Sequence, residues 1–126
     1  MEILIIDDDV NVIKTLLKRL SRWGYEARSA QNASDALKIL SSGPVDLVLL
    51  DVFLAETTAI ELIPKIKSIK ATVNIITMTG QNSRELELKI RSFGILYYMA
   101  KPIEIENLKS ILEHIDSRLD KEQISS

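Results

Sequence analysis

Apolar and polar positions along the chain follow two periodicities in turn, and this alternation predicts strands separated by helices. Two runs, 3–6 and 45–50, are apolar throughout except for Asp46. Such runs suit strands that are covered on both faces. A weaker strand is predicted at 25–29, and further strands are predicted at 73–79 and 95–99. The first of these alternates apolar with polar residues, which favours a place near a sheet edge.

Each strand is followed by apolar residues spaced three or four apart, which is the spacing of one helical face. Helices are predicted over 13–20, 33–40, 59–66, 83–92 and 105–119. Proline inside a helix costs up to about 3 kcal/mol, so we expect Pro64 to kink the third helix or to move its start toward Glu61. Five strands alternating with five helices predict right-handed crossovers and one doubly wound parallel sheet, an α/β fold.

The composition narrows the range of functions. With 126 residues, 46 % of them hydrophobic, the chain fits one domain with a real core. We expect this domain to span 1–119, with 120–126 as a polar tail or the start of a linker. The net charge of −2 gives no basis for binding nucleic acid or an anionic membrane.

The cysteine content and the search for targeting segments bear on the cellular compartment of the protein. The chain has no cysteine, so disulfides, thiolate metal sites and thiol catalysis are excluded. The sequence shows no basic leader and no apolar run approaching about 18 residues. We therefore expect a soluble, cytoplasmic protein.

Polar residues with useful chemistry follow four of the five predicted strands. They are Asp7 and Asp8 after the first, Asp51 after the third, Thr79 at the end of the fourth and Lys101 after the fifth. Because the carboxyl ends of parallel strands meet at one edge, we expect these side chains to converge. Each alone has an ordinary explanation, such as a helix start or a turn, but that explanation does not account for the whole set.

The converging set has a definite chemistry. Clustered carboxylates repel one another unless a cation joins them, and an all-oxygen site with few protein ligands suits Mg²⁺. A magnesium ion can in turn neutralise phosphate oxygens. The set predicts that Asp51 is a nucleophile for a phosphoryl group, with Lys101 and Thr79 binding the phosphoryl oxygens.

In this order and spacing, the residues resemble the receiver domain of two-component response regulators. The resemblance runs from Glu2 to about Leu119 and rests on four motifs: a strand before Asp7-Asp8, a strand before Asp51, a strand with Thr79-Gly80, and Tyr98-x-x-Lys101-Pro102. It implies a flavodoxin-like fold and phosphorylation of Asp51 by a histidine kinase or a phosphotransfer protein.

The resemblance also implies the metal ligands. Asp8 and Asp51 would bind Mg²⁺ directly, together with the backbone carbonyl of Phe53. Asp7 would act mainly through a water molecule. The adjacent Asp9 has no role in the family, and we expect it to cap the first helix.

Further roles follow for the last two strands. Thr79 and Lys101 would hold the phosphoryl oxygens, and the peptide before Pro102 is expected to be cis, which would aim Lys101 into the site. Tyr98 matches the aromatic residue that turns inward when the threonine moves toward phosphate. Tyr97, its neighbour, should point to the opposite face of the strand.

The chain departs from the family pattern after the phosphoacceptor. Family members usually have Pro and then Gly in this loop, whereas residues 54–59 contain neither. We expect the loop to be shaped differently or to be more mobile. Phe53 and Gln81 occupy the two positions that tune the loss of the phosphoryl group in the family, and a bulky Phe53 is expected to lengthen its lifetime.

These observations predict a phosphorylation-dependent switch. Phosphorylation would shift Thr79, Tyr98 and the face made by the fourth and last helices, and that face would meet a downstream output domain or protein. The domain would assist its own phosphorylation and dephosphorylation without being an enzyme in the ordinary sense. Dimerisation through the last helix is possible, and no direct nucleic acid or membrane contact is expected.

Two rival interpretations stay open at this point. A haloacid-dehalogenase-type phosphohydrolase also uses an early Asp-x-Asp, a threonine and a lysine, but it needs acidic residues after the lysine and leaves Asp51 without a role. The other rival is a receiver-like module that binds partners without being phosphorylated. The identity of the phosphorylated residue, Asp7 or Asp51, discriminates the hydrolase from the switch.

Overall fold

The hydrophobic pattern builds five strands and five helices in strict alternation. A computed structural model of the protein describes residues 1–81 and 83–125. The strands are β1 (Glu2–Ile6), β2 (Glu26–Ala30), β3 (Leu47–Asp51), β4 (Asn74–Thr79) and β5 (Tyr97–Ala100). The helices are α1 (Val10–Arg22), α2 (Ala33–Ser42), α3 (Ala59–Ile69), α4 (Arg84–Arg91) and α5 (Ile105–Ser125). The predicted alternation is confirmed, with strand bounds shifted by one or two residues.

The strands form one sheet in the order β2-β1-β3-β4-β5, and every neighbouring pair is parallel. The predicted doubly wound sheet is therefore confirmed, and β2 lies at an edge as expected. The strand order reverses where β1 lies between β2 and β3. In folds of this kind, ligands bind in the crevice outside the carboxyl ends of the strands at such a reversal.

Two apolar cores lie on opposite faces of the sheet. Successive residues of β1 contribute to different cores: Ile3 and Ile5 pack with α1 and α5, whereas Leu4 and Ile6 pack with α2, α3 and α4. This alternation follows from the two-residue period of a strand. Because helices cover both faces of the sheet, the central strands are apolar on both sides. Polar residues follow only where these strands end.

The start of α3 corrects the expectation based on Pro64. The helix begins at Ala59 and contains Pro64 in its interior, so the expected start near Glu61 is wrong. Four apolar residues of this helix are buried: Ala59, Leu62, Ile63 and Ile66. Their packing against the sheet outweighs the one backbone hydrogen bond that proline removes, since tertiary burial supplies most helical stability in proteins.

The last helix is longer than its apolar stripe. The backbone of α5 stays helical to Ser125, so residues 120–125 belong to this helix. This segment contains Lys, Glu and Gln, which have favourable helix propensities. The division of the chain at residue 119 stays a prediction, and Ser126 lies outside the described residues. No helix within the described ranges combines the length and apolar character needed to cross a membrane.

Candidate functional site

Three carboxylates meet at the reversal of strand order. Asp7 and Asp8 follow β1, and Asp51 is the last residue of its neighbour β3. One side-chain oxygen from each residue lies within 4.8 Å of the others. Asp7 and Asp51 are only 0 % and 7 % exposed, whereas Asp8 is open to solvent. Two of the three carboxylates are thus buried, and the third faces solvent. This set of oxygen ligands fits a hard cation that keeps several waters.

Lys101 lies between the two buried carboxylates. Its ammonium donates a hydrogen bond to Asp7 Oδ2 at 2.8 Å and lies 3.3 Å from Asp51 Oδ2. The other oxygen of Asp7 accepts the backbone N–H of Asp9 at 2.9 Å. Both oxygens of Asp7 are therefore occupied, while Asp51 has the looser contacts. The predicted convergence of Lys101 with the carboxylates is thus observed, and its ammonium lies nearer to Asp7 than to Asp51.

The protonation of the cluster follows from burial and charge. Burial first, and then the charge of Asp7, raise the pKa of Asp51 to about 6, against the opposing pull of Lys101. Burial lowers the pKa of Lys101, but the hydrogen bond from Lys101 to Asp7 and the charge of Asp51 outweigh burial, and the net shift is upward. Lys101 is therefore a fixed positive charge at neutral pH, and Asp51 is largely ionised there.

Thr79 ends β4 at the same edge, and its side chain is engaged. The hydroxyl donates to the backbone carbonyl of Gln81 at 2.7 Å and accepts the N–H of Gln81 at 3.0 Å. Thr79 is only 1 % exposed, although it borders the pocket side of the sheet. This hydroxyl can turn toward a ligand only by giving up its contacts with the following loop.

Tyr98 and Tyr97 lie on opposite faces of β5. Tyr98 is half-buried against the core formed with α2, α3 and α4, whereas Tyr97 is exposed. The Arg91 guanidinium lies 5.7 Å from the centre of the Tyr98 ring. Burial and then the charge of Glu87 raise the pKa of the Tyr98 hydroxyl. The Tyr98 hydroxyl is buried and has no hydrogen-bond partner among the described residues.

The loop between β3 and α3 is closed by backbone hydrogen bonds. Phe53 pairs with Thr58 in an antiparallel bridge, and the N–H of Leu54 donates to the carbonyl of Thr57 at 2.9 Å. The Phe53 N–H lies 3.4 Å from Asp51 Oδ1, and the Phe53 side chain is 37 % exposed. The loop thus forms a compact turn without the expected Pro or Gly. A role for the Phe53 carbonyl as a metal ligand stays a prediction.

Other predicted contacts lie nearby, and one contact was not predicted. The Lys101–Pro102 peptide bond is cis. Asp9 caps α1, since its side chain accepts the N–H groups of Asn11 and Val12. Sequence reasoning missed Glu56, whose carboxylate accepts the N–H of Ala33 at the start of α2. No local signal could have found this contact, because the two residues are 23 positions apart.

Comparison with known proteins decides the family. The sequence model of the response regulator receiver domain matches residues 3–113. The chain belongs to this receiver family. The phosphohydrolase interpretation is therefore set aside, and the carboxylate cluster is the acidic pocket of a receiver domain.

Curated relatives of this receiver domain are longer proteins. The DNA-binding transcriptional regulator NtrC of Azospirillum brasilense is 34 % identical over 111 residues, which cover 88 % of this chain and 23 % of that protein. Transcriptional regulatory protein ZraR of Escherichia coli K12 is 33 % identical over 90 % of this chain and 26 % of its own length. The receiver thus spans about a quarter of the curated relatives that it matches.

Solved receiver structures resemble the present one closely. A two-component response regulator from Clostridium difficile has a TM-score of 0.90 and 28 % identity, over 94 % of this chain and 98 % of that one. A response regulator from Burkholderia pseudomallei, with a phosphorylated aspartic acid, a calcium ion and citrate, has a TM-score of 0.82 and 27 % identity. That alignment covers 97 % of the present chain and 72 % of the other. These similarities confirm the flavodoxin-like receiver fold.

Proposed function

We propose that this receiver domain is a phosphorylatable switch in which Asp51 accepts a phosphoryl group with the help of Mg²⁺. One observation carries the proposal: three carboxylates lie within 4.8 Å of one another, and Lys101 lies 3.3 Å from the oxygen of Asp51. A cluster of negative charge with one cation beside it is arranged to receive a dianionic phosphoryl group only when a further cation is present.

The side chains divide the chemistry among them. An oxygen of Asp51 attacks the phosphorus atom, and an acyl phosphate forms as the bond from phosphorus to the donor nitrogen or oxygen breaks. The donor group leaves with the electron pair of that bond. Lys101 then moves from the resting carboxylates to a phosphoryl oxygen, and Thr79 leaves Gln81 to donate a hydrogen bond to another.

The residues that would hold the cation are Asp8 and Asp51, with the carbonyl of Phe53 as a third ligand. As the family resemblance implies, Asp7 would contribute mainly through a water, while its two oxygens accept hydrogen bonds from the Asp9 N–H and the Lys101 ammonium. When bound, Mg²⁺ neutralises the charge on the phosphoryl oxygens. Because Asp8 is exposed to solvent, the site leaves room for the waters that this ion retains.

The partners follow from the family. The proposed donor is a sensor histidine kinase or a histidine phosphotransfer protein, and we expect the exchange to take place in the cytoplasm. The receiver of a longer regulator would pass its state to an output domain, through Thr79, Tyr98 and the face of α4 and α5. The domain would assist its own phosphorylation and hydrolysis, and a homodimer through α5 is one way to use that face.

The test is intact mass after incubation with acetyl phosphate. The wild-type protein should gain one phosphoryl group with Mg²⁺ and none when the ion is removed with EDTA. Asp51→Asn should gain none under either condition, and Glu106→Asn serves as a control for the loss of one exposed carboxylate. If wild-type protein takes no phosphoryl group, the interpretation as an unphosphorylated binding module replaces the switch.

A further inference from the structure

The loop between β3 and α3 is tied to a helix that is remote in sequence. The carboxylate of Glu56, at the exposed tip of the loop, accepts the backbone N–H of Ala33 at 2.8 Å. In the part of the chain that the structure describes, this is the only hydrogen bond that joins residues 53–58 to an element other than β3 and α3. A charged acceptor on a backbone N–H in the first turn of a helix is also favoured by the helix dipole.

The remaining contacts of the loop are internal or apolar. Leu54 is buried in the core and anchors one side of the turn. Two backbone hydrogen bonds close the turn: the N–H of Leu54 donates to the carbonyl of Thr57 at 2.9 Å, and the N–H of Ala59 donates to the carbonyl of Val52 at 2.8 Å. Phe53 and Thr58 form the antiparallel bridge between these two bonds. These two bonds fix the shape of the turn, but neither of them joins the loop to α2. The hydrogen bond from the Ala33 N–H to Glu56 supplies the polar contact between the loop and α2.

Helix α2 does not need Glu56 for its own cap. The side chain of Asn32 accepts the N–H of Asp35 at 2.8 Å, which is the usual N-cap bond. Glu56 satisfies a different first-turn donor, that of Ala33. The start of α2 is therefore capped from within and is also held from outside by the loop.

We propose that Glu56 is a positioning residue for the phosphorylation site: by tying the β3–α3 loop to α2, it holds the carbonyl of Phe53 in place as a ligand for the cation. The inference rests on the proposed function, because it requires the cation site at Asp51. The long-range hydrogen bond also gives a loop without Pro or Gly a contact with a separate helix, in addition to the backbone bonds that close the turn.

The experiment compares three variants by their Mg²⁺ dissociation constants, measured from backbone amide chemical shifts. Glu56→Ala removes the tie and should weaken Mg²⁺ binding roughly tenfold, the lower end of effects seen for groups that orient metal ligands. Glu56→Gln keeps an oxygen that accepts the Ala33 N–H and should stay within about twofold of wild type. Asn32→Ala removes the internal cap of α2 and should leave Mg²⁺ binding unchanged.

A second readout needs no metal. Amide hydrogen exchange at Ala33 should accelerate in Glu56→Ala and stay slow in Glu56→Gln, because only the first loses the acceptor. Phosphorylation by acetyl phosphate at saturating Mg²⁺ should reach the wild-type rate in Glu56→Ala, with the change confined to the Mg²⁺ concentration required.

Three outcomes would overturn the inference. Equal Mg²⁺ affinity in Glu56→Ala and wild type would show that the tie does not position the site. Equal weakening in Glu56→Ala and Asn32→Ala would show a general effect of α2 stability. Equal weakening in Glu56→Ala and Glu56→Gln would assign the effect to charge. The proposed function fails separately, if the wild-type protein itself takes no phosphoryl group.

Discussion

The two loops that supply the carboxylates are built in different ways. In the loop between β1 and α1, Asp7 accepts the N–H of Asp9, and Asp9 accepts the N–H of Asn11, so each bond spans two residues. In the loop between β3 and α3, the side chain of Thr58 at the N-cap makes no such bond. The second loop has one longer side-chain bond of this span, from the N–H of Phe53 to Asp51 Oδ1 at 3.4 Å, and adds the bond of Glu56 to Ala33, 23 residues away.

The difference sets what each loop can do. Local side-chain bonds hold the first loop in one arrangement, with both oxygens of Asp7 occupied. The second loop carries Asp51, which has weaker contacts and a pKa raised to about 6, and its polar anchor is a single exposed hydrogen bond. The carboxylate of Asp7 is thus preorganised, whereas Asp51 is the group that would change its bonds in the proposed phosphorylation.

Lys101 is the link between the two loops, and its removal should have the largest effect. Lys101→Met takes away the cation that would stabilise the transferred phosphoryl group, so phosphorylation by acetyl phosphate at saturating Mg²⁺ should slow about 100-fold. Intact mass against time measures the rate. The exposed Lys18→Met serves as the control, and a Lys101→Met rate within threefold of wild type would remove Lys101 from the mechanism.

The raised pKa of Asp51, the carboxylate that precedes the second loop, predicts that Mg²⁺ binding depends on pH. A raised pKa means that folded Asp51 keeps its proton to higher pH, and Mg²⁺ must displace that proton below about pH 6. The Mg²⁺ dissociation constant should therefore rise about tenfold between pH 7 and 5 and change little above pH 7. Titrations by amide chemical shift at several pH values test this, and a constant affinity from pH 5 to 7 would contradict it.

The N-termini of α1 and α3 allow a direct comparison of side-chain capping. Asp9→Ala removes the side-chain cap of α1 and should lower the free energy of unfolding by about 1 kcal/mol. Thr58→Ala, at the equivalent position of α3, should change it by less than about 0.5 kcal/mol, because no cap bond is lost. Urea denaturation of both variants provides the measurement. Equal losses would show that the loops do not differ in this way.

Phe53 is expected to have the smallest effect of the four. Phe53 is exposed and follows Asp51 by two residues, and a bulky ring at this position should hinder the attacking water. Phe53→Asn should therefore shorten the phosphoryl lifetime by about threefold, a difference below 1 kcal/mol. The decay of the phosphorylated protein, followed by mass, reports the lifetime. An unchanged decay rate would assign no shielding to the ring.

The same contrast explains which features could be predicted from sequence. Residues 3–6 and 45–50 form central strands because an apolar run of that length must be covered on both faces, and the carboxylates after them converge because parallel strands end together. Asp9 caps α1 through a contact within three residues. The doubly wound fold, the place of β2 at a sheet edge and the convergence of the polar residues all follow from the local sequence pattern and the parallel topology.

Other features depend on tertiary contacts that no local pattern encodes. Pro64 predicted a later start for α3, but burial of Ala59 and Leu62 moved the start back. The preference of Lys101 for Asp7 over Asp51 depends on side-chain packing at the edge. The anchor at Glu56 joins two residues whose separation along the chain gives no sign of contact.

The most direct test of the account is to locate the phosphoryl group on the chain. Borohydride reduces an aspartyl phosphate to homoserine, so the protein is phosphorylated with acetyl phosphate and Mg²⁺, reduced and analysed by peptide mass. The account predicts homoserine at position 51 and unmodified Asp7 and Asp8. Homoserine at position 7 or 8, with Asp51 unchanged, would contradict the assignment of the phosphoacceptor.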